Sequence, residues 1–296
     1  MSVININNLT KDYGNNKGVF DLSFKIEKGE AFGFLGPNGA GKTTTIRHLM
    51  GFLNADKGEC TINGLDCRIQ SAEIEKSLGY LPGEIAFLDE MKGIDFLKYM
   101  AELKGMKDFT KMNELISFFE LDPSGKLKKM SKGMKQKIGI VSAFMNSPDV
   151  LILDEPTSGL DPLMQSKFVD LIESEKKAGK TILMSSHSFE EVERTCDRVG
   201  IIKSGRLVTI EEVATLKSSQ RKQYVINFTS KEEAEKFSNE GFDIIAVNGR
   251  HVTVSIKGLI SPLIKVLADY SVSSFDIKTQ SLEDIFMHYY GGDKNE

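Results

Sequence analysis

The 296-residue chain predicts an α/β fold with a mostly parallel sheet, followed by a small α+β module. Three observations carry that prediction. Short apolar runs that read as buried strands, Ala31–Leu35, Val150–Leu153 and Thr181–Ser185, alternate with stretches of helical apolar spacing. The first of these runs opens into a glycine-rich turn and then a helix. After about residue 215 the pattern changes to β-α-β-β-α-β, the order of a ferredoxin-like module. Domain limits follow at 1–215 and 216–296, with an inserted helical region at about 80–135.

The elements can be justified in order. Residues 2–9 alternate through Val3, Ile4, Ile6 and Leu9 and read as an edge strand, and Phe20–Ile26 as a second strand before the turn Lys28-Gly29-Glu30. A helix is expected from Lys42 to about Leu53. Phe96, Leu97, Met100, Ala101 and Leu103 recur at helical spacing, as do Leu115, Ile116, Phe118 and Phe119. A helix at about Leu163–Ala178 separates the later buried strands, and Val199–Lys203 and Arg206–Ile210 bracket the turn Ser204-Gly205. In the C-terminal module, strand Tyr224–Thr229, helix Lys231–Asn239 and strand Phe242–Val247 precede Asn248-Gly249, a two-residue hairpin signal. Strand Val252–Ile256, a helix at about Leu259–Asp269 and a strand at about Val272–Thr279 complete it. A last helix, Leu282–Tyr289, has Ser281 as its N-cap.

Composition narrows the function classes. With 40% hydrophobic and 27% charged residues the chain is an ordinary globular protein rather than a disordered, collagen-like or disulfide-built one. Its net charge of −4 (38 basic, 42 acidic residues) argues against a nucleic-acid partner. No run approaches the roughly 18 apolar residues of a membrane span, and the start MSVININNLTKDYG lacks the features of a signal peptide. Cys60, Cys67 and Cys196 are an odd set without metal-site spacing and read as free thiols.

Two segments carry chemistry. Gly36-Pro37-Asn38-Gly39-Ala40-Gly41-Lys42-Thr43 fits the phosphate-loop spacing, between a buried strand and a helix. Glycines let successive backbone N–H groups face phosphate oxygens, and the helix N-terminus adds a favourable dipole. Lys42 can reach the terminal phosphates, and the Thr43 hydroxyl can ligate Mg²⁺. The second segment is Asp154-Glu155, two carboxylates at the end of the strand Val150–Leu153, where α/β sheets bind ligands. Asp154 suits Mg²⁺, and Glu155 suits a general base that polarises an attacking water.

With both segments in view, the chain resembles the ATP-binding subunits of ATP-binding-cassette (ABC) transporters over roughly residues 2–210. Ser131-Lys132-Gly133-Met134-Lys135-Gln136 stands where the family's signature motif belongs. Ser158-Gly159-Leu160-Asp161 matches the D-loop, Ser186-His187 the switch histidine, and Tyr13 the aromatic that stacks on adenine. The resemblance implies a phosphate-loop ABC ATPase domain, a mixed sheet core with an inserted helical subdomain, beside an accessory C-terminal domain. It implies that ATP is held by Tyr13, residues 36–43, Thr44, Ser131, Gly133 and Asp161, that Mg²⁺ is held by Thr43 and Asp154, and that Glu155 and His187 act in hydrolysis. It further implies a head-to-tail sandwich with a second ATP-binding subunit, the same or a homologue, beneath separate integral membrane subunits at the cytoplasmic face of the membrane.

The segments SKGMKQK, LPGE and SLEDIF (residues 281–286) resemble exporters of drugs, antibiotics, peptides or lipid-linked molecules. The C-terminal module is open to a dimerising, a regulatory or a merely packed role. Two departures stand out. Met130-Ser131-Lys132-Gly133 lacks the leading leucine and double glycine of the signature. Gly83 occupies the place of the usual Q-loop glutamine, so either Glu84 substitutes or the contact is absent. Three alternatives remain at this level: an importer ATPase, a soluble ABC-type ATPase acting on ribosomes or chromosomes, and a nucleotide sensor. Glu155 speaks against the sensor, and the single phosphate loop without long heptads speaks against the soluble ATPase.

Overall fold

A computed structural model describes residues 1–87, 90–219, 222–256 and 259–279. The expected final helix Leu282–Tyr289, its cap Ser281 and the SLEDIF segment lie outside the described residues. The chain divides into two compact units, Met1–Val213 and Ala214–Glu296.

The first unit runs β1 (Ser2–Asp12), β2 (Gly18–Glu27), β3 (Ala31–Leu35), α1 (Lys42–Leu49), β4 (Lys57–Ile62), β5 (Leu65–Asp66), α2 (Ser71–Ser77) and β6 (Leu78–Leu81). There follow α3 (Gly93–Leu103), α4 (Thr110–Phe118), α5 (Lys132–Phe144), β7 (Val150–Asp154), α6 (Pro162–Lys177), β8 (Thr181–Ser186), α7 (Phe189–Thr195), β9 (Arg198–Lys203) and β10 (Arg206–Glu212). Two sheets result. One is antiparallel, in the order β2-β1-β4-β5. The other, β10-β9-β3-β8-β7-β6, is parallel apart from its β9–β10 hairpin.

The core lies between these sheets. Val3, Ile4 and Phe24 from the antiparallel sheet meet Phe32, Phe34, Leu183 and Ile202 from the parallel one, with Ile46 and Leu49 of α1 among them. The Phe24 and Phe32 rings stack with centroids 5.2 Å apart. The other face of β3 is covered by α7 at Gly33, where a Cβ would lie 2.6 Å from Val192 Cγ1. Burial on both faces explains why β3 and β7 read as unbroken apolar runs.

Differences from the sequence reading have physical reasons. β1 is not an edge strand: it lies between β2 and β4. Its second partner is easy to overlook because Lys57–Ile62 contains Gly58, at φ 80° and packed so closely that a Cβ would sit 2.3 Å from Asn8 O. Helix α1 stops at Leu49 rather than Leu53. Gly51 takes φ 70°, its N–H bonds to His48 O and the Phe52 N–H to Arg47 O, a Schellman closure. The stretch from residue 80 begins as a strand, β6, before α3. Leu97 and Ala101 of α3, Met112 and Leu115 of α4, and Ile138 and Val141 of α5 are buried. α5 lies against β6, where a Cβ on Gly79 would come 2.3 Å from Ala143 O.

The second unit holds most of α8 (Val213–Ser219), then β11 (Lys222–Phe228), α9 (Lys231–Phe237), β12 (Asp243–Asn248), β13 (His251–Ile256), α10 (Ser261–Leu267) and β14 (Val272–Thr279). Its sheet is antiparallel in the order β12-β13-β11-β14, the ferredoxin-like arrangement that β-α-β-β-α-β produces. Tyr224, Ile226, Phe228, Val252 and Val254 pack there with Ala234, Phe237 and Leu263 of the helices.

Candidate nucleotide site

Ligands of parallel α/β sheets bind beyond the carboxyl ends of the strands. Here register brings three such ends level: Leu35 pairs with Ser186, and Asp154 with Ser185. The strands therefore deliver the loop 36–41, the pair Asp154-Glu155 and the segment Ser185–His187 to one place. A cleft of about 830 Å³ opens there, lined by Tyr13, Asn38, Gly39, Gly41, Lys42, Thr43, Thr44, Asp154 and Glu155 among others.

The glycines of the loop are needed where they stand. Gly41 has φ 110°, and a Cβ on it would meet Val19 Cγ1 at 2.8 Å. On Gly36 a Cβ would lie 2.4 Å from Ile202 O. Gly39 has φ 79° and nothing within 4 Å of its Cβ position, so its backbone can be approached from the cleft. The loop thus forms a main-chain cradle at the N-terminus of α1, open on the side a phosphate needs.

Lys42 is buried, 5% exposed, and its ammonium is fully engaged. It donates to Gly36 O (2.6 Å) and Pro37 O (3.3 Å) and forms an ion pair with Glu155 Oε1 (3.2 Å). The other oxygen of that carboxylate, Glu155 Oε2, lies 2.5 Å from His187 Nδ1. Glu155 itself has φ 50°, a left-handed backbone uncommon outside glycine and asparagine, and such strain gathers at working sites. Asp154, fully buried, accepts from Thr43 Oγ1 through Oδ2 (2.8 Å) and from the Ser185 hydroxyl through Oδ1. The neighbouring Tyr80 phenol is pushed up to about 12 by burial and by the Asp154 charge, and it stays protonated.

The donor set fits Mg²⁺. Thr43 Oγ1 and Asp154 Oδ2 are hard oxygens side by side, and this ion takes one or two protein ligands while phosphate and water complete its shell. Among the described residues no group of three or more His, Cys, Asp or Glu gathers as a self-contained metal cage would require.

Other residues singled out from the sequence lie elsewhere. Ser131 N-caps α5, accepting from Met134 N at 3.2 Å, and Asp161 N-caps α6, accepting from Met164 N at 3.0 Å. A Cβ on Gly133 would lie 2.8 Å from Gly159 O. None of these three lines the cleft. Lys132, the unusual residue of that motif, does line it and donates to Ser158 Oγ (2.9 Å). Gln136, 3% exposed, donates to Pro156 O at 2.7 Å, so the start of α5 is fastened to the loop that follows Glu155. Gly83 packs against Asp154, where a Cβ would be 3.2 Å from Oδ2, and Glu84 is exposed on the cleft wall. The sequence reading passes over Ser185 as a site residue and names Gln136 only as the end of the signature segment, with no role of its own. Both are polar residues whose burial only the tertiary structure reveals.

Fold and site together define a phosphate-loop nucleotide-binding ATPase domain. The sequence profile of the ABC transporter family matches residues 19–158. An uncharacterised ABC transporter ATP-binding protein of Bacillus subtilis, YhcH, is 32% identical over 301 residues, 100% of this chain and 98% of the relative. The bacitracin transport ATP-binding protein BcrA of Bacillus licheniformis is 33% identical over 300 residues, 98% of each chain. The linearmycin resistance ATP-binding protein LnrL of Bacillus subtilis is 35% identical over 209 residues, 69% of this chain and 67% of its own. Among solved structures, an ATP binding subunit of an ABC transporter superposes with a TM-score of 0.67 at 29% identity, covering 73% of this chain and 92% of the other. A dimeric bacterial ABC transporter cassette, at 21% identity and a TM-score of 0.64, shares the fold over 71% of this chain and 98% of its own. The chain belongs to the ATP-binding subunits of ABC transporters, a family of ATPases.

Proposed function

We propose that this chain hydrolyses ATP to power a membrane exporter, docked at the cytoplasmic face of the membrane on separate membrane-spanning subunits and paired with a second ATP-binding subunit. The observation that carries the hydrolytic reading is the Glu155 carboxylate, held between the Lys42 ammonium and the His187 ring at the rim of the phosphate-loop cradle.

Each residue then has a task. Backbone N–H groups of Asn38, Gly39, Gly41, Lys42 and Thr43 and the Lys42 ammonium bind the phosphates, and Tyr13, 53% exposed at the cleft, stacks on adenine. Thr43 and Asp154 hold Mg²⁺, which when bound neutralises phosphate charge. Water adds to the terminal phosphorus as the bond to the bridging oxygen breaks, yielding ADP and phosphate. Glu155 takes the water's proton, with His187 hydrogen-bonded to the same carboxylate.

Two features support the assembly. Ser131, Gly133 and Asp161 lie away from their own cleft, which suits contact with nucleotide or loops of a second protomer. A cavity of about 380 Å³ beside α1, β6 and α3 is lined by Met50, Phe52, Tyr80, Met100 and Leu103. Phe52 is 55% and Leu103 64% exposed there, and such an apolar surface suits a cytoplasmic helix of the membrane subunit. Among the described residues no helix is long and apolar enough to cross a membrane. The relatives named for bacitracin transport and linearmycin resistance support export of an antibiotic, peptide or lipid-like substrate. The test is to tag the chain, extract membranes gently and identify what co-purifies. A stoichiometric multi-span membrane protein is expected, and recovery only with ribosomes or DNA would overturn the transporter reading.

A further inference from the structure

Ser185 is fully buried in β8, directly across from Asp154 in the β7–β8 register. Its single proton goes to Asp154 Oδ1, and its oxygen accepts the Glu155 N–H at 3.1 Å. One hydroxyl therefore uses both its donor and its acceptor capacity on two consecutive acidic residues. The second oxygen of Asp154 faces Thr43 Oγ1 at 2.8 Å and the backbone of Gly83, where a Cβ would come within 3.2 Å. Among these neighbours Ser185 is the donor to Asp154 on the side away from the cation position. A buried carboxylate needs such a donor to satisfy its oxygen and to stay fixed in one rotamer.

Glu155 carries the adjoining demand. At φ 50° its backbone is strained, and its N–H points to Ser185 through both the hydroxyl and the main-chain oxygen (3.2 Å). Strained residues persist where their surroundings over-determine them. The Ser185 side chain is part of that surrounding, and it couples the aim of the Glu155 carboxylate to the orientation of Asp154.

We propose that Ser185 is a positioning residue for ATP hydrolysis: its hydroxyl orients Asp154 toward the Mg²⁺ position and fixes the backbone turn that presents Glu155. This rests on the roles proposed above for Asp154 and Glu155. Phosphate-loop affinity for nucleotide without metal does not pass through this hydroxyl, whereas metal affinity and turnover do.

The test compares wild type, Ser185→Ala, Ser185→Cys and Glu155→Gln as full-length chains. Three quantities are measured: ATP affinity in EDTA, Mn²⁺ binding to the ADP complex by electron paramagnetic resonance, and kcat with Mg²⁺. For Ser185→Ala we expect unchanged affinity in EDTA, with Mn²⁺ affinity and kcat each weakened about 10- to 100-fold, the usual cost of losing an outer-shell partner. Ser185→Cys, close to serine in volume but a weak donor, falls in the same direction and decides the matter if the alanine variant does not fold. Wild-type Mn²⁺ affinity and kcat in a folded Ser185 variant would overturn the proposal. So would a loss of EDTA affinity in parallel with kcat, the mark of a purely structural serine. Glu155→Gln separates the two layers. If it turns over normally, the hydrolytic reading fails. If it is inactive while the Ser185 variants are not, only the role of Ser185 fails.

Discussion

The two units use burial in opposite ways. At the carboxyl ends of β3, β7 and β8, Lys42, Asp154, Ser185 and Ser186 are all nearly or fully buried, and most of their polar partners are one another or the loop main chain. In the second unit, among the described residues, Ser255 is the one buried polar side chain, and the polar row His251–Asn227–Ser274–Asp276 lies in solvent. The apolar interior of that unit packs its sheet against its helices. The first unit gives up apolar packing at one sheet edge to hold charges out of water, where electrostatic interactions are strong enough to act on a phosphate.

The comparison can be broken at each side. Phe237 is fully buried against Phe228 (ring centroids 5.1 Å) and Phe242 (5.6 Å). Phe237→Ala should destabilise the second unit by about 3–5 kcal/mol in denaturant titrations. Its ATP affinity should not change, and a matching loss of nucleotide binding would contradict the division of labour. On the other side, Lys42→Ala should weaken ATP binding by about 1.5–3 kcal/mol, the range for a hydrogen bond to a charged group, with no change in the melting of the second unit. Equal ATP affinity, read by calorimetry, would remove Lys42 from the site.

A smaller effect concerns Glu191, whose carboxyl accepts from Ser186 Oγ beside the His187 loop. Burial raises its pKa above the ordinary 4.5, against the Ser186 hydrogen bond. The folded state therefore holds a proton that the unfolded chain has released, so stability falls as pH rises from about the ordinary value through the raised one. Glu191→Gln keeps an acceptor for Ser186 and should flatten that decline. Melting curves across this pH range check the sign, and an unchanged slope would discard Glu191 as its source.

Legibility in the sequence followed contiguity. The phosphate loop and Asp154-Glu155 are readable because residues 36–43 and 150–155 carry strand, turn and chemistry in one stretch. The ferredoxin-like order is readable because Asn248-Gly249 marks a hairpin within it. The same dipeptide at Asn63-Gly64, with φ of 53° and 78°, turns β4 into β5, yet both strands escape a reading by alternation because Gly58 interrupts the first and the second has two residues. With β4 unseen, β1 looks like an edge. Ser185 escapes for a different reason: its partners are Asp154 and Glu155, some 30 positions away, and only the β7–β8 register joins them.

The most direct test of the central claim is the paired measurement of ATP affinity and ATP turnover in Glu155→Gln. The carboxylate between Lys42 and His187 predicts near-normal ATP binding with turnover reduced about 10²- to 10⁴-fold, the usual worth of a general base. Undiminished turnover with normal binding would contradict the assignment of this site as the place where ATP is hydrolysed.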